Sequence, residues 1–136
     1  MNIIIYEIDK IKLETVLAGF IEESGARLAM LVGKSGVILS RKGDFSGVEL
    51  QSLAALTAGS FASTQALAKV VGEKEFLGVF HQGKRSNIYI SLVADFGILV
   101  AVFDVSTTVG MIRLCAREAT KKLEPIIAEI IQRIKK

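Results

Sequence analysis

The sequence predicts an α+β fold: a single five-stranded antiparallel sheet with helices on both faces, forming one domain over residues 1–136. Three observations carry that prediction. Helical and strand periodicities follow one another as helix, two strands, helix, three strands, helix. The runs IYISLVA (88–94) and GILVAVF (97–103) are apolar at successive positions, as in central strands covered on both sides. A chain of 136 residues without linker, repeat or low-complexity tract suits one domain that buries about two-thirds of its unfolded surface.

Each element follows from local chemistry. Ile3 to Tyr6 reads as a short strand. Asp9 is expected to cap a helix running to Glu23, with Ile11, Leu13, Val16, Leu17 and Phe20 inward and Gly25 as its stop. Arg27–Val32 and Gly36–Lys42 read as strands joined by the four-residue turn GKSG. KGDFS then leads to a long helix, with Ser46 and Glu49 as a capping box and Gly72 at its end. Glu75–His81, Ser86–Ala94 and Gly97–Val105 read as three strands, with turns at Gln82–Arg85 and Asp95–Phe96. A last helix starts near Thr108 and runs towards Ile134, and Pro125 predicts a kink or break at Glu124.

The long helix is the most unusual stretch. Gly47–Val71 (GVELQSLAALTAGSFASTQALAKVV) carries almost no charge, yet it is built of small residues. Ala55, Ala58, Gly59, Ala62 and Ala66 recur at i, i+3, i+4, i+7 and i+11 and share one face. Such a face permits close approach of another backbone. Gly59 costs the helix roughly 0.5–1 kcal/mol against Ala, so a packing or binding reason is expected. This helix reads as a contact surface.

Composition narrows the classes. Apolar residues make up 51% and charged residues 23%, and the apolar excess suits a domain with a further interface to cover. No apolar run reaches the roughly 18 residues of a membrane span. MNIIIYEIDK lacks a basic start and a cleavage-like site, so no signal peptide is expected. One cysteine allows no intrachain disulfide and suits a reducing compartment, so a cytoplasmic location is expected. The net charge of +3 is lopsided: Met1–Ile112 holds 10 basic and 11 acidic residues, Arg113–Lys136 holds 7 and 3.

Catalytic patterns are missing. His81 is the only histidine, with no second His or Cys beside it to form a metal site, and a turn or surface contact is the plainer reading. Cys115, with Ile112 and Ala119 on its face, reads as a small core residue rather than half of a Cys-His pair. Gly33-Lys34-Ser35 fails as a phosphate loop, because position 28 is Leu and a strand, not a helix, follows. Asp44, Asp95 and Asp104 stand singly at turns. No catalytic residue, metal or cofactor is expected. Arg113, Arg117 and Lys121 recur every fourth residue, with Lys122 alongside. That row is either a solvated face or a contact for an acidic partner. Nucleic acid suits it less, since no aromatic residue follows Phe103 to stack on bases.

The segments LAALTAGSFASTQALAKVVGEKEF, FHQGKRSNIYI and ILVAVFDVSTTVGMIRLCAREATKKL together resemble the Roadblock/dynein light chain domain, with its profilin-like sandwich. The likeness spans Met1 to about Ile130 and is greatest to bacterial members that regulate cell polarity. It implies a non-enzymatic homodimer that binds a small Ras-like GTPase and accelerates GTP hydrolysis. No inserted arginine is needed if the GTPase conformation that aligns its own catalytic groups is stabilised. The alternative is a scaffold or adaptor subunit without effect on turnover.

The same likeness implies that the third strand pairs with its two-fold mate, which maps to Glu75, Phe76, Leu77, Gly78, Val79, Phe80 and His81. A platform for the GTPase maps to Ala55, Ala58, Gly59, Ala62, Gln65, Ala66 and Lys69. Ala55, Gly59, Ala62 and Ala66 serve equally as the seam between paired helices, and one groove can do both. Some relatives carry a segment after the last helix that reaches the GTPase. This sequence ends at Lys136, so an exchange role tied to that segment is not expected. A small-molecule or phosphate sensor would need a deep polar pocket near His81 or the basic row, which the residues do not suggest.

Overall fold

Alternate residues of the central strands divide between two apolar clusters, and that division builds the molecule. The computed structural model describes residues 5–134. Along the chain come α1 (Glu7–Ser24), β1 (Leu28–Gly33), β2 (Ile38–Gly43), α2 (Leu50–Val70), β3 (Gly78–Gln82), β4 (Asn87–Val93), β5 (Gly97–Phe103) and α3 (Val109–Ile134). The strands form one antiparallel sheet in the order β2-β1-β5-β4-β3. The expected fold class is the observed one.

Ala29, Leu31, Leu99, Ala101 and Phe103 point to one face, where α1 and α3 cover them with Leu13, Leu17, Phe20, Ile112 and Leu123. Leu28, Met30, Val32, Ile98 and Val100 point to the other, where α2 supplies Ala54 and Phe61. All seven residues of β5 are buried, as its unbroken apolar run requires. Burial of these side chains is the main stabilising term.

Several boundaries differ from the sequence expectation. The expected strand over residues 3–6 lies partly outside the described residues, and Ile5 and Tyr6 belong to no strand. Tyr6, not Asp9, caps α1; Asp9 sits at the third helical position, where its carboxylate accepts the Tyr6 N–H at 2.9 Å. Ile11 turns outward. Gly25 ends α1 at φ +79°, a conformation that favours glycine. Ser46 does not cap α2, because Asp44 takes both its N–H (2.9 Å) and its hydroxyl (2.6 Å). Glu49 caps instead, accepting from the Gln51 N–H at 3.0 Å.

The last helix is not broken. α3 runs through Pro125 as one element. Proline removes the hydrogen bond to the Lys121 carbonyl, a loss of roughly 3 kcal/mol in a free helix. Anchors on both sides outweigh it. Leu123, Ile127 and Ile130 are buried against the core, and Arg133 grips Asp9 with two hydrogen bonds at 2.7 and 2.5 Å.

Candidate functional site

Helix α2 sits on the sheet through a narrow strip: Ala54, Thr57, Ala58, Phe61 and Ala68 are buried. The β1–β2 turn supports it from below. Gly36 adopts φ +94°, and a Cβ there would stand 3.4 Å from the Ala55 Cα, so the turn packs directly under the helix. The turn itself is a hairpin closed by the Gly33 N–H to the Val37 carbonyl at 2.8 Å, not a phosphate cradle.

Of the seven platform candidates, Ala55, Gly59, Ala62, Ala66 and Lys69 are exposed. Gly59 has open space around it: a Cβ added there meets nothing within 4 Å, so nothing among the described residues explains a mid-helix glycine. Ala58 and Gln65 are placed differently. Ala58 is only 7% exposed and packs towards the sheet. The Gln65 side-chain amide donates to the Phe76 carbonyl at 3.0 Å and accepts the Phe76 N–H at 2.7 Å. Both still border a small groove of about 300 Å³, with Ala62, Phe61, Ile98 and Lys34.

Three residues escaped the reading of the sequence. Leu56, Leu67 and Val70 stand on the outer side of α2, and Val70 is 81% exposed. The signal was present in the spacing. Once Ala54, Thr57, Phe61 and Ala68 define the inner strip at 100° per residue, Leu56 and Leu67 must lie away from it. They share a flank with Ser60, whose hydroxyl lies 3.5 Å from His81 Nε2 on β3. The Ala55–Ala62 flank rises over the β1–β2 turn instead. Helix α2 thus has two outer flanks of different composition.

Beside the leucine flank lies the sheet edge. β3 pairs only with β4 among the described residues, leaving its outer backbone groups open. The strand begins at Gly78, three residues after the expected Glu75. The segment before it is held by the Gln65 clamp on Phe76 and by a bond from the Leu92 N–H to the Leu77 carbonyl at 2.9 Å. Phe80 stacks on Phe103 with centroids 5.9 Å apart, and His81 is exposed on the α2 side of the sheet. The opposite edge strand, β2, is flanked by α1, with Lys42 3.9 Å from Glu14.

On the far face, Arg113, Arg117 and Lys121 form an exposed row on α3. They border a half-open groove of about 530 Å³ between α3 and the β3–β4 edge. The residues alone did not suggest that hollow. Cys115 is buried in the α1/α3 cluster, across the sheet from His81, so the two form no Cys-His pair. Burial pushes its thiol up, away from the reactive thiolate. Asp44 and Asp104 cap their own turns, and hydrogen bonds from Ser46 and Ser106 hold their carboxyls below the usual range. Among the described residues no cluster of three or more His, Cys, Asp or Glu could hold a metal, and no helix is long and apolar enough to cross a membrane.

Residues 12–103 match the Roadblock/LC7 domain family. The chain belongs to that family. Three solved Roadblock structures resemble it over nearly their whole length. Myxococcus xanthus MglB is 33% identical with a TM-score of 0.85, covering 93% of this chain and 96% of its own. The gliding protein MglB of Thermus thermophilus is 34% identical, at a TM-score of 0.86 with 94% and 97% covered. An MglB described as having a tetrameric arrangement is 32% identical, at 0.87 with 95% and 97% covered. A profilin II of Acanthamoeba castellanii shares the fold alone, at 13% identity and a TM-score of 0.62 over 83% of this chain and 97% of its own. No curated protein sequence matches the chain.

Proposed function

We propose that this Roadblock protein is a non-enzymatic, MglB-like regulator that binds a small, MglA-like Ras-type GTPase as a homodimer and stimulates GTP hydrolysis. Its setting would be the bacterial cytoplasm, in control of polarity or motility, without a cofactor of its own. The observation that carries this reading is the pairing of two exposed features, the open edge of β3 and the small-residue flank of α2. The first offers a self-complementary strand for a two-fold partner. The second offers a surface where a bound protein can come close.

The two flanks of α2 divide the labour. Leu56 and Leu67 share the side of Ser60, which neighbours β3. A mate joined along β3 brings its own α2 against these leucines, and their burial adds stability to the dimer. Ala55, Gly59, Ala62 and Ala66 remain on the other flank for the GTPase. No arginine lies between Leu50 and Val70, so stimulation acts by holding the GTPase in its hydrolysis-competent conformation.

Single-turnover GTP hydrolysis by the cognate GTPase, with and without this protein, tests the reading. Acceleration at a ratio of one GTPase per dimer supports it. Binding without acceleration leaves the scaffold role, and no binding removes both.

A further inference from the structure

We propose that the groove between α3 and the β3–β4 edge docks an extended, acidic protein segment in which carboxylates alternate with apolar side chains. One wall is the row Arg113, Arg117 and Lys121, all exposed. Neither Arg113 nor Arg117 joins an ion pair among the described residues, and Lys121 meets only Glu118, at 3.4 Å. The other wall carries the rings of Phe80 and Tyr89, which face α3, with Leu77 at its rim. A groove with one cationic and one apolar wall calls for an occupant with matching sides.

The spacing selects an extended chain. Cations four residues apart on a helix stand about 6 Å apart along its axis. Alternate residues of an extended strand stand about 6.6 Å apart and point to the same side, while those between point to the opposite side. Carboxylates at every second position therefore meet the α3 row in register, and the intervening side chains reach the apolar wall. Glu124 ends the row on α3 and Glu75 stands on the strand side, so the acidic run is short and bounded. A lone phosphate would engage one or two of three cations and leave the apolar wall uncovered. The groove lies across the sheet from α2, so this inference does not rest on the GTPase platform. Its strand wall borders the proposed dimer edge at Leu77 and Phe80, so the peptide would lie beside the seam.

The test uses this protein alone with a fluorescein-labelled hexapeptide alternating glutamate and leucine, followed by fluorescence anisotropy. Binding is expected, weakening as salt rises and falling about tenfold or more in Arg113→Glu/Arg117→Glu. If that variant misfolds by circular dichroism, Arg117→Gln/Lys121→Gln replaces it, with a smaller loss expected. Lys84→Gln/Arg85→Gln, in the β3–β4 turn and outside the groove, should bind as the parent does. A peptide with its glutamates and leucines in two blocks should bind more weakly. Absence of binding, equal binding of the blocked peptide, or equal loss in the turn variant would overturn the proposal. Displacement by equimolar inorganic pyrophosphate would make the groove a small-anion site instead. A change of solution mass in Arg113→Glu/Arg117→Glu would make it an interface between copies.

Discussion

Gln65 and Phe76 are joined by two hydrogen bonds, the side-chain amide of one closing on the backbone of the other at 3.0 and 2.7 Å. The pair ties the middle of α2 to the segment that enters β3. The helix proposed as a platform and the strand proposed as a dimer edge are thus held in one register. Gln65→Leu leaves a partly buried N–H and C=O without partners, a loss of about 1–3 kcal/mol. A urea unfolding midpoint lowered accordingly, together with a weaker dimer by analytical ultracentrifugation, is the expected result.

Gly59 separates stability from function. With open space around its Cα, Gly59→Ala should raise the stability of the helix by about 0.5–1 kcal/mol at fixed protein concentration. The same methyl group stands on the flank assigned to the GTPase. Stability should therefore rise while affinity for the GTPase falls. Chemical denaturation and a binding titration on one preparation check both signs.

Ala58 and Ala62 form a contrasting pair. Ala58 is 7% exposed and packed towards the sheet, so Ala58→Arg crowds the small groove it borders and should lower the thermal midpoint. Ala62 is exposed, so Ala62→Arg should change the thermal midpoint little. Differential scanning fluorimetry distinguishes the two directly. Only the second variant is a clean probe of binding.

Asp9 makes acid stability depend on one ion pair. Hydrogen bonds from Arg133 hold its carboxyl below the ordinary range, although burial acts in the opposite direction. A carboxyl lowered on folding stabilises above its unfolded pKa of about 4, and that contribution is lost as pH falls through the folded value. Asp9→Asn should therefore flatten the decline in stability below about pH 4. Arg133→Met leaves the buried carboxylate alone and should cost about 3 kcal/mol at pH 7, the lower end for such pairs because Arg133 keeps some solvent contact. Urea titrations at stepped pH read both effects.

Much of the fold was legible because β4 and β5 announce themselves as central strands, and Gly25 and the GKSG turn end their elements by local geometry. What escaped depended on distant partners. Asp9 marked the first turn of a helix but not its start or its cap: α1 begins at Glu7 behind Tyr6, and the Asp9 carboxylate answers to Arg133, 124 positions away. Of the kink or break expected at Pro125, the break is overruled by the buried contacts of Leu123 and Ile127, which the sequence does not show. In the candidate site, the small-residue row was visible from spacing. Its division was not: Ala58 turns inward and Leu56 outward only once Phe61 fixes which strip of α2 meets the sheet. The basic row on α3 was equally plain, but its groove exists because α3 packs across β4 and leaves the neighbouring edge strand β3 beside it.

Single-turnover hydrolysis by the partner GTPase, measured with the parent protein and with Ala62→Arg, bears most directly on the platform. The account predicts acceleration by the parent and none by the variant, with both sedimenting as dimers. Equal acceleration by a correctly folded, dimeric Ala62→Arg protein would contradict it.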